Sequence, residues 1–132
     1  MTKQRLPPDD PREWLNRARS NLALASQRVP GVYLEDLCFL AQQAAEKALK
    51  AVLIHRRVRF PYIHDLGKLI TLIEQSGISV PESVRRAVIL SDYAVESRYP
   101  GLAEPVTPEE HAEALALAQQ VVDWAERVVS SQ

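Results

Sequence analysis

Prolines and glycines divide this chain into five segments, and in each segment the apolar residues recur at steps of three and four. That spacing places apolar side chains on one face of an α-helix, whereas a half-buried strand would alternate apolar and polar residues. No segment carries a credible strand pattern. The sequence therefore predicts an all-α fold built from five helices.

The ends of the predicted helices are marked by capping residues. Asp10 is a suitable N-cap before Pro11, and residues 107–110 read Thr-Pro-Glu-Glu, which is a capping box. Gly77 is expected to cap a short helix that begins near Asp65. The predicted helices cover about residues 10–29, 32–57, 65–77, 81–98 and 107–129.

We expect a single domain over residues 1–132 with a flexible N-terminus over residues 1–9, because no linker separates two halves. The 16 basic and 17 acidic side chains nearly cancel, so any affinity for nucleic acid must come from a local patch. The single cysteine, Cys38, cannot form an intrachain disulfide, which is typical of a reducing compartment. No apolar run approaches the ~20 residues that span a bilayer, and no apolar leader is evident, so we expect a cytoplasmic protein without a membrane partner.

The second predicted helix has an alanine-rich apolar side and an opposite polar arc that carries Phe39. Phe39 flanked by Leu53 and Ile54 favours an interface, and a two-fold contact is the commonest way in which two copies use such a patch. The alternative is a lone exposed aromatic residue, which is common on protein surfaces. The sequence predicts a homodimer that forms through these three residues.

A run of basic residues without an acid extends from the second helix into the loop after it. A basic helix end beside the aromatic residues of this loop, Phe60 and Tyr62, is suited to contact phosphate or RNA. The alternative is that these cations only solvate a helix C-terminus and complement its dipole. The candidate nucleotide- or RNA-binding residues are Lys47, Lys50, Arg56, Arg57, Arg59 and, on separate grounds, Arg98.

Arg98 continues the apolar stripe of the fourth predicted helix. An arginine there needs a carboxylate or a phosphate as its partner unless its side chain extends to solvent. It either forms a buried ion pair or binds an anion at a nucleotide site. The three histidines are scattered and no phosphate-binding loop motif occurs, so neither a metal nor a cofactor is predicted.

Four short strings follow one another along the chain: Trp14-Leu15-x-x-Ala18, AQQAAEKALKA at residues 41–51, His64-Asp65-Leu66 and Tyr93-x-x-x-x-Arg98-Tyr99-Pro100. Their order and spacing resemble the HEPN domain family over about residues 14–129. The resemblance implies an up-and-down four-helix bundle with an additional short helix, usually dimeric. It also implies a partner, because members are often encoded beside a separate minimal nucleotidyltransferase as two halves of a toxin–antitoxin pair.

Many members of that family are metal-independent ribonucleases with an R-x(4–6)-H motif. Histidine acts there as general acid or base, and arginine holds the scissile phosphate. Arg98 has no histidine at that spacing, whereas Arg59 and His64 match it formally and His111 follows later. The resemblance thus leaves Arg98, His64 and His111 as catalytic candidates without assigning a catalytic residue.

The sequence and the family resemblance leave three functions open. The favoured one is a dimeric helical module that pairs with a minimal nucleotidyltransferase in a toxin–antitoxin module and binds nucleotide or RNA. The alternatives are a metal-independent endoribonuclease and a purely structural helical interaction domain, since a fold does not dictate a function.

Overall fold

The computed structural model describes residues 4–94 and 105–131, and the regular secondary structure of these residues is entirely helical. The helices are α1 (Pro11–Ala25), α2 (Leu34–His55), α3 (Leu66–Gln75), the single-turn α4 (Glu82–Arg85), a 3-10 helix (Arg86–Tyr93) and α5 (Pro108–Ser130). The predicted all-α fold is confirmed. No helix within the described residues is long and apolar enough to cross a membrane.

The two strongest capping signals act as the sequence predicts. Asp10 accepts the backbone N–H of Arg12 at 2.9 Å, which satisfies a free donor at the start of α1. At the start of α5 the N–H of Glu110 donates to Thr107 Oγ1 at 3.1 Å, and the N–H of Thr107 donates back to the Glu110 carboxylate at 2.9 Å. Local sequence therefore fixes where both helices begin.

The end of α1 lies four residues before the predicted end near Val29. The Ser26 hydroxyl donates to the Ala23 carbonyl at 2.8 Å, and the Ser26 N–H turns back to the same carbonyl. These bonds close the last turn before Pro30 is reached. Val29, beyond this end, is 49% exposed.

α2 is the central helix of the bundle. α1, α3, α5 and the 3-10 helix all pack on it, and 13 of its 22 residues are buried, more than one apolar face would supply. Its alanines let the neighbouring helix axes come close. Part of the polar arc opposite the alanine-rich side is therefore covered as well, and three of its residues are at most 4% exposed: Gln42, Glu46 and Lys50.

The fourth predicted helix is not a regular α-helix over the described residues. It makes one α-turn and continues as a 3-10 helix. With 3.0 residues per turn, the buried positions recur every third residue, and Val84, Ala87 and Leu90 are each fully buried. Val88, which would follow Val84 on the same face of an α-helix, is 39% exposed. The predicted continuation to Arg98 lies outside the described residues.

Residues 56–65, which we call the return segment, carry the chain back along α2. The N–H of Val58 donates to the Leu53 carbonyl at 2.9 Å near the end of α2. The carbonyl of His64 accepts from the Gln42 side chain at 3.2 Å, near the middle of α2. α3 begins beside the middle of α2 and ends at Ser76, whose carbonyl accepts from Arg56 at the end of α2. α3 therefore runs parallel to α2, and the return segment runs along α2 in the opposite direction.

Candidate functional site

Three polar residues of α2 form a buried row. Gln42, Glu46 and Lys50 are spaced four residues apart, which stacks their side chains along one face of the helix. Gln42 Nε2 donates to Glu46 Oε1 at 3.1 Å, and Lys50 Nζ donates to Glu46 Oε2 at 2.9 Å. The Glu46 carboxylate is thus the centre of the row.

The return segment brings three aromatic rings to this row. His64 Nδ1 lies 3.0 Å from Glu46 Oε1, and Lys50 Nζ lies 5.8 Å and 5.4 Å from the ring centroids of Phe60 and Tyr62. Phe60 and Tyr62 thus both lie at the Lys50 end of the row, and His64 meets the row at its centre, Glu46. We call the resulting group the Glu46 cluster: Gln42, Glu46, Lys50, Tyr62 and His64.

The electrostatics of the cluster orient the His64 ring. Burial raises the pKa of the Glu46 carboxyl, but hydrogen bonds from Lys50, Gln42 and His64 outweigh it, so the pKa lies below its usual value. Glu46 is therefore ionised at neutral pH and can only accept hydrogen bonds. His64 Nδ1 therefore donates to this carboxylate, and the tautomer of an uncharged imidazole in this position has its lone pair on Nε2.

The cluster opens to the surface at His64 and Tyr62. The His64 side chain is 45% exposed, and Tyr62 is 88% exposed. The two ring centroids are 4.7 Å apart with an interplanar angle of 84°, an edge-to-face contact. An open aromatic face and an oriented imidazole therefore lie side by side.

The structure separates both predicted lysines from the predicted arginines. Lys50 is buried in its pair with Glu46 and does not belong to a solvent-facing patch. Lys47 Nζ donates to Asn21 Oδ1 of α1 at 2.6 Å, and burial, aided by the charge of Arg17, lowers the pKa of Lys47. The prediction of one continuous basic surface is wrong here because α1 and the return segment cover these turns of α2.

The three predicted arginines at the end of α2 are exposed but do not face the same way. The guanidinium of Arg56 donates to the carbonyl of Ser76, the C-cap of α3. Arg57 and Arg59 instead line a surface cleft together with His55. Only two of the arginines are thus directed to a common opening.

Two further candidates are placed in the core. Leu53 is completely buried, so its predicted place on an exposed interface is wrong, whereas Phe39 and Ile54 are half-buried. His111 is 2% exposed, and its Nε2 lies 2.7 Å from the Ala25 carbonyl at the end of α1. A ring held there ties α5 to α1 and does not reach an RNA phosphate, which removes His111 as a catalytic candidate.

The formal motif of Arg59 and His64 is spread along the return segment. Arg59 shares its cleft with Ile54, whereas His64 binds Glu46, eight residues or about 12 Å away along α2. Arg98, the other candidate arginine, lies outside the described residues. In the ranges 4–94 and 105–131, no three His, Cys, Asp or Glu side chains converge as a metal site.

Comparison with known proteins gives one family and two similar structures. The HEPN domain family model matches residues 11–128. The crystal structure of TT1696 from Thermus thermophilus is 34% identical, with 91% of this chain and 98% of that chain covered and a TM-score of 0.77. The structure of ST0689, an archaeal HEPN homologue, is similar in fold, at 23% identity, 97% and 100% coverage and a TM-score of 0.68. A search of curated proteins found no match.

Proposed function

The chain belongs to the HEPN domain family, and on that premise we propose that it binds a nucleotide unit at the Glu46 cluster, with the base on Tyr62 and His64 beside it. The observation that carries this proposal is the 88% exposed Tyr62 ring held 4.7 Å from an imidazole that Glu46 orients. Exposed aromatic rings next to polar groups are the usual platform for an unpaired base.

The chemistry of the cluster supports a nucleotide better than a simple anion. Lys50 and Glu46 neutralise each other, so the cluster offers little net positive charge to a phosphate alone. It offers instead a ring face for stacking and, at His64 Nε2, a hydrogen-bond acceptor for a base or ribose donor. Lys50 lies beneath the Tyr62 ring and helps to hold it in place.

We expect Tyr62→Ala to weaken the binding of a short single-stranded RNA by roughly 5- to 150-fold, because stacking contributes about 1–3 kcal/mol per base. Fluorescence anisotropy with a labelled oligoadenylate measures this at low salt. Tyr33→Ala is the matched control, since Tyr33 is also exposed, at 71%, but precedes α2 at the other end of the bundle. Equal affinities of wild type and Tyr62→Ala would overturn the proposal.

The tautomer of His64 favours a second candidate function, metal-independent RNA cleavage. Its Nε2 lone pair is suited to take a proton from a ribose hydroxyl, and Glu46 would stabilise the imidazolium that forms. RNA incubated with the purified protein in EDTA tests this, with His64→Ala expected to abolish cleavage. His111→Ala is the control, because the buried His111 would affect only folding.

We further propose that this domain pairs with a separate minimal nucleotidyltransferase in a toxin–antitoxin type module, which rests on membership of the family. Arg57 and Arg59 are exposed cations available to an acidic partner surface. Co-purification of the two proteins, with and without Arg57→Glu and Arg59→Glu, tests the pairing.

A further inference from the structure

We infer that Lys47 is an acylation site: its amine, held by Asn21 where α1 packs on α2, accepts the acyl group of a small acyl phosphate whose phosphate is bound by Arg17. This role lies outside the Glu46 cluster and does not depend on the proposed nucleotide binding. It concerns a lysine that the fold removes from the predicted basic surface.

Lys47 differs from the other lysines of the described residues in what its amine contacts. Lys50 is buried against the Glu46 carboxylate at 2.9 Å, and Lys68 is exposed. Lys47 is half-buried, and the hydrogen-bond partner of its Nζ within residues 4–94 and 105–131 is Asn21 Oδ1, at 2.6 Å. An amide oxygen accepts from a neutral amine as well as from an ammonium, whereas a carboxylate favours the ammonium.

The surroundings of Lys47 also increase the share of its neutral form. Burial is the main cause of its lowered pKa, the like charges of Arg17 and Lys50 act in the same direction, and the charge of Glu46 opposes them. Only the neutral amine has a lone pair that attacks a carbonyl, and at pH 7 fewer than about one ordinary lysine side chain in a thousand is neutral. Lys47 is therefore the lysine whose environment favours acylation.

Arg17 supplies the contact for the phosphate. Arg17 and Asn21 are four residues apart, which places them one turn apart on the same face of α1. The Arg17 side chain is 51% exposed, and its Nε donates to Glu13 Oε2 at 2.7 Å. No hydrogen bond joins its two terminal nitrogens to another of the described residues. These N–H groups are suited to bind two oxygens of a phosphate.

The reaction transfers the acyl group from oxygen to nitrogen. The lone pair of Lys47 Nζ attacks the carbonyl carbon, an N–C bond forms, and the C–O bond to the phosphate breaks with its electron pair on the leaving oxygen. Inorganic phosphate is released and the amine loses one proton to water. The amide N–H that remains still has Asn21 as its acceptor, so acylation removes a positive charge beside Glu46 without removing the contact between α1 and α2.

The test incubates the folded protein with acetyl phosphate at neutral pH and follows each lysine by mass spectrometry of peptides. We expect Lys47 to be acetylated several times faster than Lys68, and Lys50 more slowly than either. If Lys47 reacts no faster than Lys68, the inference is overturned. Acetic anhydride, which carries no phosphate, measures the intrinsic reactivity of the same amines in parallel.

Asn21→Asp tests the contribution of the uncharged partner. The aspartate has nearly the same shape but places a carboxylate at Lys47 Nζ, which favours the ammonium. Acetylation of Lys47 should become no faster than that of Lys68, while Lys68 itself is unaffected. The new ion pair replaces the original hydrogen bond, so the variant is expected to fold, and thermal unfolding checks this. An unchanged rate at Lys47 in the folded variant would contradict the inference.

Arg17→Gln tests the phosphate contact. It should slow the acetylation of Lys47 by acetyl phosphate more than that by acetic anhydride, because only acetyl phosphate has a phosphate to bind. Arg12→Gln is the matched control, since Arg12 is also an exposed, ion-paired arginine of α1 but lies five residues away on another face of the helix. Equal slowing with the two reagents, or equal effects of the two variants, would overturn the assignment of an acyl phosphate.

Discussion

Glu46 is a buried carboxylate in the centre of α2. Its oxygens accept hydrogen bonds from three side chains, those of Gln42, Lys50 and His64. Its pair with Lys50 is 5% exposed on both sides, so each charge depends on the other. Removing one partner of a buried pair leaves an uncompensated charge, which is much more costly than losing an exposed pair. A substitution that removes one charge of this pair is therefore expected to cause a large loss of stability.

We predict that Glu46→Gln lowers the free energy of unfolding by about 3–5 kcal/mol, because it leaves the Lys50 ammonium buried without a countercharge. Urea unfolding of the variant and the wild type measures the difference. Stability should also depend on pH through this residue. Because folding lowers the pKa of Glu46 below its usual value of 4.5, this carboxylate stabilises the fold at pH values above 4.5. That contribution is lost as the pH falls through the lowered pKa.

Glu13→Gln is the control for burial of the carboxylate. Glu13 is also 5% exposed, but its partner Arg17 is 51% exposed and can be solvated when the charge is lost. The control should therefore lose no more than about 1 kcal/mol. Equal losses in the two variants, or an acid transition unchanged in Glu46→Gln, would contradict the assignment of a buried pair.

At the scale of elements, residues close in sequence determine where a helix begins, whereas contacts with distant segments determine what packs around it. The capping box of α5 joins residues three apart in sequence. The return segment joins residues about twenty apart and has no regular hydrogen-bond ladder of its own. Its position against α2 depends on the contacts that Phe60, Tyr62 and His64 make with the buried row.

We predict that Thr107→Ala destabilises the protein by about 1 kcal/mol, the usual effect of losing an N-cap side chain. Thermal or urea unfolding measures it. Thr71→Ala is the matched control, since the Thr71 hydroxyl donates to the Gly67 carbonyl at an exposed position of α3 and caps no helix end. A loss in Thr71→Ala as large as that in Thr107→Ala would show that the capping box contributes no specific stability.

At the scale of the whole molecule, Phe39 and Ile54 remain the interface candidates after Leu53 is assigned to the core. Both are half-buried on α2, so part of each side chain is accessible to a second copy. A two-fold contact would use this surface twice and bring two return segments into one assembly.

We predict a homodimer with twice the chain mass of 14.8 kDa in light scattering at micromolar concentration. Phe39→Glu should shift it to the monomer without loss of the folded state, since a charge at the centre of an apolar contact opposes association. Leu24→Glu, at a 52% exposed position of α1, is the control and should stay dimeric. A monomer mass that does not change with concentration would exclude the dimer.

The sequence by itself determined the helical class, the caps of α1 and α5 and most helix boundaries, because these depend on neighbours within a few residues. It also indicated the return segment as a basic, aromatic loop. It did not reveal the Glu46 cluster, although Gln42, Glu46 and Lys50 at a spacing of four beside buried alanines were the signal that could have done so.

Only the tertiary structure decided which polar residues are buried and which cations share a surface. A helical wheel assigns one face to solvent, but α2 is surrounded by helices and the return segment, so Lys50 became a core ion pair and Leu53 a core residue. Arg56 and Arg57 are neighbours in sequence and yet face α3 and the cleft respectively, because the left-handed residue at Arg57 redirects the chain between them. Contacts between distant segments fix such directions, and no local pattern encodes them.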